Sequence, residues 1–268
     1  MSSTDLSLPA ESAKAHLMLP DWPAPAGVRG LVTLRHGGVS RGPWGRAGGD
    51  AGGWNLGGHC GDDPADVARN RALLRGLLPS EPRWLDQVHG TEVLDRDAWD
   101  PGADAALPRA DAAVTGRRGV VLAVLTADCL PVLLTNASGT VAGIAHAGWR
   151  GLAGGVLERT VEALARVTDD HDWLAWLGPA IGPACFEVGG EVRDAFVGHD
   201  ADAASAFVPA AAGKWMADLD ALAGLRLARA GVASIHGGGR CTVSERESFY
   251  SYRRDRITGR MASLIWLD

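Results

Sequence analysis

Val120-Val121-Leu122-Ala123-Val124-Leu125, closed by Thr126-Ala127-Asp128-Cys129, carries the architecture of this chain. An unbroken apolar run rich in β-branched residues, bounded by Gly119 and by a polar turn, predicts a strand covered on both faces. A strand of that kind needs packed layers on either side of it. Pro131–Thr135 and Val141–Ala145 predict two more strands, separated by the turn composition Asn136-Ala137-Ser138-Gly139. His146 closes the second of them. After the glycine-rich segment 148–155, Val156–Val167 places apolar residues at helical spacing, so strand, glycine turn and helix follow in order.

Further out, Asp63-Pro64 has the order of an N-cap followed by proline at the first helical position, which predicts a helix over Pro64–Leu78. Trp173–Leu177 and Ala262–Leu267 predict strands, and Glu191–Val197 and Asp218–Ala230 predict helices. Helices and strands without regular alternation imply an α+β (mixed α/β) fold, a single domain with a mixed β-sheet core flanked by helices. Residues 1–25 are rich in proline and alanine and lack periodicity, so a flexible leader is expected there, with the domain over 26–268. Arg41–Gly58 is rich in glycine and predicts a long loop, functional or mobile. Tyr252–Arg260 is rich in arginine and reads as a mobile, solvated segment.

The chain has 268 residues, 46% hydrophobic and 22% charged, a composition suited to one packed core. Its 26 basic side chains against 32 acidic ones leave a net charge of −6, which speaks against binding nucleic acid. Cys60, Cys129, Cys185 and Cys241 form no Cys-x-x-Cys pair and no disulfide pattern, pointing to a reducing cytoplasm. The N-terminus has no secretory pattern, and residues 119–134, the most apolar stretch, are interrupted by Asp128 and Pro131, so no membrane span is expected.

Gln87-Val88-His89-Gly90, Ala127-Asp128-Cys129 and Ala145-His146-Ala147-Gly148-Trp149-Arg150-Gly151 place two imidazoles and one thiol at the ends of elements. Three ligands with a fourth position open are the pattern of a catalytic zinc site. Thiolate with imidazole favours zinc or copper over magnesium or calcium, and Asp128 could support the thiolate. The same residues also allow a cysteine nucleophile at Cys129 with His89 or His146 as base, or an inert buried thiol among core histidines. Gly148-Trp149-Arg150-Gly151 ahead of a helix resembles an anion cradle, and Tyr252-Arg253-Arg254 is a second anion candidate.

These blocks resemble the YfiH-like proteins, also called the multicopper polyphenol oxidase or laccase-domain family. Gly37-Gly38-Val39-Ser40, Asn55-Leu56-Gly57-Gly58-His59 with Gly61-Asp62-Asp63-Pro64, the three segments above, Ile181-Gly182-Pro183 and Phe249-Tyr250-Ser251-Tyr252-Arg253-Arg254 through Thr258-Gly259-Arg260 look like the family's blocks in its order. The resemblance covers nearly everything from about residue 30 onward. It implies His89, Cys129 and His146 as ligands of Zn2+, with copper at the same site in vitro. It implies phosphorolysis of adenosine, inosine and methylthioadenosine, with adenosine deamination as a side activity. The partners are then a purine nucleoside and phosphate, and the chain is expected as a monomer or weak homodimer. His89, Cys129, His146 and Arg150 are the catalytic candidates; Asn55, His59, Gln87 and Arg253 are the substrate-binding candidates. Two other readings carried by the family are a cysteine- or metal-dependent hydrolase of cell-wall precursors (peptidoglycan editing) and a copper-dependent polyphenol oxidase. The chain departs from the family pattern at Cys60, at Ala184 and in its long glycine loop before Asn55.

Overall fold

The computed structural model of the chain describes residues 15–95, 97 and 106–268. Its core is mixed, as expected, and divides between two main sheets. One has four antiparallel strands in the order Leu17–Met18, Val28–Thr33, Met261–Leu267 and Leu122–Thr126. The other has six, ordered Ser234–Gly237, Trp173–Leu177, Leu130–Asn136, Ala142–Ala147, Ala112–Thr115 and Val93–Asp95, with parallel pairing only at its two edges. A small third sheet joins Glu187–Val188, Trp215–Ala217 and Phe207–Pro209.

Side chains alternate between the faces of a strand, and here both faces of each central strand are buried. Val124, Val32 and Ile265 of the four-stranded sheet pack against Leu133, Ile144 and Trp176 of the six-stranded one. The opposite face of the six-stranded sheet, with Val132, Leu134, Ala145 and Ala175, is covered by the helices Val156–Ala165 and Leu219–Arg229. On the far side, Ala123, Leu125 and Leu264 meet Leu74 and Leu78 from and just after the helix Pro64–Arg75. The result is four layers, helix, sheet, sheet and helix. Burial on both faces explains why residues 120–125 read as a continuous apolar run.

The expected elements recur with ends shifted by one to three residues. Asp63 caps its helix by accepting from Ala65 N at 2.8 Å, and Asp218 caps Leu219–Arg229 from Ala221 N at 3.0 Å. Residues 148–155, expected as a turn, contain a short helix over Trp149–Gly154 that ends at Gly155 in the left-handed region. Of the expected leader, residues 1–14 lie outside the described residues, and Leu17–Met18 pairs with Val32 and Thr33 as an edge strand. Among the described residues no helix is long and apolar enough to cross a membrane.

Two segments depart from their expected character. The glycine loop 41–58 folds back on itself: Gly53 bridges both His36 and Ser40, and a Cβ at Gly53 would lie 1.9 Å from the Trp44 carbonyl oxygen. Trp54, Asn55 and Leu56 then enter the core. The arginine-rich segment 252–260 is solvated only in part, with Tyr252, Arg256 and Ile257 exposed. It opens with a helical turn over Tyr252–Asp255, and Arg254 donates to the carbonyls of Thr242, Val243 and Phe249 while pairing with Asp255.

Asn70 fastens the glycine loop to the helix Pro64–Arg75. Its side chain is fully buried, accepts from Val39 N at 2.9 Å, and donates to Ser40 Oγ and to the Asn55 carbonyl, both at 2.9 Å. Asn70→Ala leaves these backbone partners buried and unpaired, and should cost about 3 kcal/mol, read as a lower urea midpoint with an unchanged slope.

Candidate active site

The three candidate ligands come from three different structural devices. Cys129 lies in the short turn where the chain leaves Leu122–Thr126 in one sheet and enters Leu130–Asn136 in the other. Asp128 adopts φ 93°, which bends the chain sharply enough to change sheets within this turn. His146 is the penultimate residue of Ala142–Ala147, the strand paired beside Leu130–Asn136. His89 stands on a loop, with φ 59°.

A fully buried carboxylate fixes that loop. Asp111 accepts from the backbone N–H groups of Val88 at 3.2 Å, His89 at 2.9 Å and Gly90 at 2.6 Å. The same carboxylate accepts from His146 Nδ1 at 2.8 Å, and the Asp111 carbonyl accepts from His146 N at 2.7 Å. One side chain thereby orients the His146 imidazole, fixes the backbone that carries His89, and leaves Nε2 of His146 for the cluster, the arrangement of a carboxylate behind a metal-binding histidine. Gln87 anchors the loop's start: its amide donates to the Leu125 carbonyl at 2.9 Å and accepts from Leu125 N at 2.7 Å.

Cys129 Sγ lies 3.8 Å from His89 Nε2, and the ligand atoms of His89, Cys129 and His146 all fall within 4.8 Å of one another. Tetrahedral zinc with bonds of about 2.3 Å to sulfur and about 2.0 Å to nitrogen spaces such atoms about 3.5 Å apart, so the set fits zinc after a small contraction. A Cβ at Gly148 would come within 2.9 Å of Cys129 Sγ and 3.0 Å of His89 Cδ2. The glycine after His146-Ala147 is therefore a steric requirement of the cluster.

Charge and burial act together here. Burial opposes ionisation of Cys129, but the adjacent His146, with hydrogen bonds from both imidazoles, brings the thiol down to about 6. Burial likewise opposes a charged His146, and the Cys129 sulfur together with Asp111 raises it to about 9. Burial would raise Asp111, yet the hydrogen bonds from His146 and from the Gly90 and Val88 amides hold its carboxyl below the usual range. Without metal these shifts favour a thiolate and imidazolium pair backed by a carboxylate.

The cluster opens on a cavity of about 840 Å³. His59, Gln87, Arg150 and Arg253 all border it, as do Arg71, Trp149, Tyr252, Arg256 and Arg260. The Arg150 guanidinium lies 4.4 Å from the Trp149 ring centroid. Arg253 donates to the Glu187 carbonyl at 3.0 Å and lies 5.3 Å from the Phe186 ring centroid. Burial, then Arg260 and Arg71, lower His59, which is a neutral imidazole at pH 7.

Asn55, a substrate-binding candidate, is not among the residues that border the cavity. It is fully buried behind the wall, where its Oδ1 accepts from Gly57 N at 3.0 Å and Arg260 N at 2.9 Å. Asp128 does not face the metal ligands: its carboxylate accepts from Thr242 Oγ1 and Arg253 N, both at 2.6 Å. The supporting carboxylate is Asp111, which sequence reasoning missed. An aspartate among Ala110, Ala112, Ala113 and Val114 in a buried strand was the available signal.

Two measurements follow from this geometry. Asp111→Asn, which cannot accept from four donors as a carboxylate does, should weaken Zn2+ binding about 10- to 100-fold in a chelator competition. Because Cys129 is already ionised above about 6 while His146 keeps its proton up to about 9, Zn2+ uptake at pH 7 to 8 should release one proton from this pair. The release should fade above pH 9 and grow toward two below pH 6, as read by proton counting in weak buffer.

The chain resembles known proteins over nearly its whole length. The model of the family described as "Multi-copper polyphenol oxidoreductase laccase" matches residues 29–268. A Pseudomonas aeruginosa protein named purine nucleoside phosphorylase PA4543 is 53% identical over 252 residues, covering 94% of this chain and 98% of the relative. The Escherichia coli protein named purine nucleoside phosphorylase YfiH is 52% identical over 253 residues, with the same coverage of 94% and 98%. Among solved structures, Neisseria meningitidis protein NMB0706 superposes with a TM-score of 0.85 at 48% identity, covering 94% of this chain and 99% of that one. YlmD from Geobacillus stearothermophilus superposes with a TM-score of 0.81 at 33% identity, covering 91% and 93%. Sequence and fold agree, and the chain belongs to the YfiH-like, multi-copper polyphenol oxidoreductase laccase family.

Proposed function

We propose that this chain is a zinc-dependent purine nucleoside phosphorylase that cleaves adenosine, inosine and methylthioadenosine with phosphate and deaminates adenosine as a side reaction. The observation that carries the reading is the His89, Cys129 and His146 cluster on the wall of a cavity that also presents Arg150. The names of its relatives, purine nucleoside phosphorylases, support the reaction class. At about 840 Å³ the cavity has room for a nucleoside and phosphate together.

Zinc held by the three ligands supplies a Lewis acid and lowers the pKa of bound water to about 7. Arg150 is the residue assigned to hold phosphate, because a guanidinium matches two phosphate oxygens at once. Arg253, whose backbone is pinned by Asp128, gives a second cationic contact across the cavity. Neutral His59 can donate and accept, which suits a ribose hydroxyl or a purine edge. In phosphorolysis a phosphate oxygen bonds to C1′ of the ribose, the C1′–N bond breaks, and the base leaves with that electron pair and a proton. Deamination replaces the purine amino group by oxygen from water and releases ammonia. The reducing cytoplasm is the compartment assigned, supported by four free cysteines, and the working unit is a monomer or weak homodimer.

Zinc-loaded protein should convert adenosine to adenine and ribose 1-phosphate only when phosphate is present, and to inosine without it. Cys129→Ala should abolish both reactions. Arg150→Ala should raise the KM for phosphate about tenfold or more, with metal content and the nucleoside KM little changed. Fully metallated protein that releases no base from any of the three nucleosides with phosphate would refute the assignment.

A further inference from the structure

Away from the cavity wall, two cysteines share one hydroxyl. Cys185 Sγ lies 3.6 Å from Ser244 Oγ, and Ser244 Oγ donates to Cys241 Sγ at 3.4 Å. The two loops that carry them are in contact along their length. Ala180 N donates to the Arg240 carbonyl at 3.2 Å and Thr242 N to the Ala180 carbonyl at 2.9 Å. Gly182 N donates to Cys241 Sγ at 3.3 Å, and a Cβ at Gly182 would stand 3.0 Å from Cys241 Cβ. Cys185 closes the turn that starts at Gly182, its N–H donating to the Gly182 carbonyl at 2.9 Å. Both cysteines are half-buried and Ser244 is exposed, so a small oxidant can reach the pair.

The sulfurs differ in their surroundings. Cys241 Sγ accepts from the Gly182 amide and the Ser244 hydroxyl, donors that favour the thiolate. Burial pulls the Cys241 thiol up, and the Ser244 hydroxyl with the neighbouring amides more than offsets it, leaving it below the ordinary value. Cys60, by contrast, is pushed up by burial. A half-buried thiol whose ionisation is favoured by neighbouring donors, with a second thiol hydrogen-bonded to the same Ser244 hydroxyl, is the arrangement of a reactive cysteine and its resolving partner.

We propose that Cys241 and Cys185 form a peroxide-reactive dithiol that closes to a disulfide, with Cys241 as the attacking sulfur and Cys185 as the resolving one. Hydrogen peroxide is the oxidant. The Cys241 thiolate takes one peroxide oxygen, the O–O bond breaks, and the departing hydroxide is protonated to water. Cys185, giving up its proton, then attacks the Cys241 sulfenic sulfur and expels a second hydroxide, which that proton converts to water. Two thiols are oxidised by two electrons in all, and one peroxide is reduced to two waters. The bond joins loops that both hang on Asp128: the Thr242 hydroxyl donates to its Oδ1 at 2.6 Å, and Ile181 N donates to its carbonyl at 2.9 Å. The thiol pair therefore sits within the support of the residue preceding the ligand Cys129.

The test treats zinc-loaded full-length protein with hydrogen peroxide, blocks free thiols by alkylation and maps the peptides by mass spectrometry. The expected product is a Cys185–Cys241 linked peptide pair, lighter by two hydrogens and separated again by dithiothreitol. Cys185→Ser should instead accumulate a dimedone-trapped sulfenic acid at Cys241, and Cys241→Ser should leave Cys185 reduced. The proposal is overturned if both thiols stay fully alkylatable under peroxide that oxidises the same cysteines in urea. It is equally overturned if Cys185 oxidises at the wild-type rate in Cys241→Ser.

Discussion

Asp111 sets the geometry on which the rest of the site depends. Its carboxylate collects three consecutive backbone amides of the loop 88–90 and the Nδ1 of His146, and its carbonyl takes the His146 amide. A loop residue and a strand residue are thereby referenced to one buried anion. Such an anion is costly unless its acceptor sites are filled, and here the two imidazole-bearing segments fill them. The satisfaction of the carboxylate and the placement of the ligands are the same set of hydrogen bonds.

The third candidate ligand is placed by the layering of the fold. The turn 127–129 is the point where the chain passes from the four-stranded to the six-stranded sheet, so Cys129 emerges at the seam between them. Asp128 holds that seam from behind, through Thr242, Arg253 and Ile181. The loops that border the cavity on that side are thus tied to the residue adjacent to the thiolate. Opposite them the glycine loop, anchored by Asn70 and Asn55, supports Arg260 and brings His59 to the wall. The cavity is walled by segments far apart in sequence, some in helices and strands and others in loops tied down by buried polar side chains.

Electrostatics gives the centre its readiness for metal. The thiolate of Cys129 and the imidazolium of His146 stabilise one another in a place where either charge alone would be disfavoured by burial. A divalent cation held by His89, Cys129 and His146 would take the place of the imidazolium proton beside the thiolate. Gly148 keeps the approach narrow, since any side chain there would strike Cys129 and His89.

The elements of the core were readable from the chain alone, because a strand covered on both faces shows itself as an unbroken apolar run and a capped helix as Asp63-Pro64. The three candidate ligands were readable as residue types at element ends. Their convergence was not, since the separations among residues 89, 129 and 146 encode no local motif. Asn55 looked like a binding residue because a polar side chain beside glycines resembles a pocket, and the arginines near 254 looked solvated because charge usually is. Local sequence cannot distinguish an amide or guanidinium that meets a ligand from one that satisfies carbonyls of a distant loop. The sequence by itself therefore determined the periodicities, the caps and the chemistry available at each position. Only the tertiary structure decided that two sheets meet at Cys129, that Asp111 ties the His146 imidazole to the backbone of His89, and that Asn55 and Arg254 bond to distant backbone, because those outcomes depend on hydrogen bonds between residues tens to hundreds of positions apart.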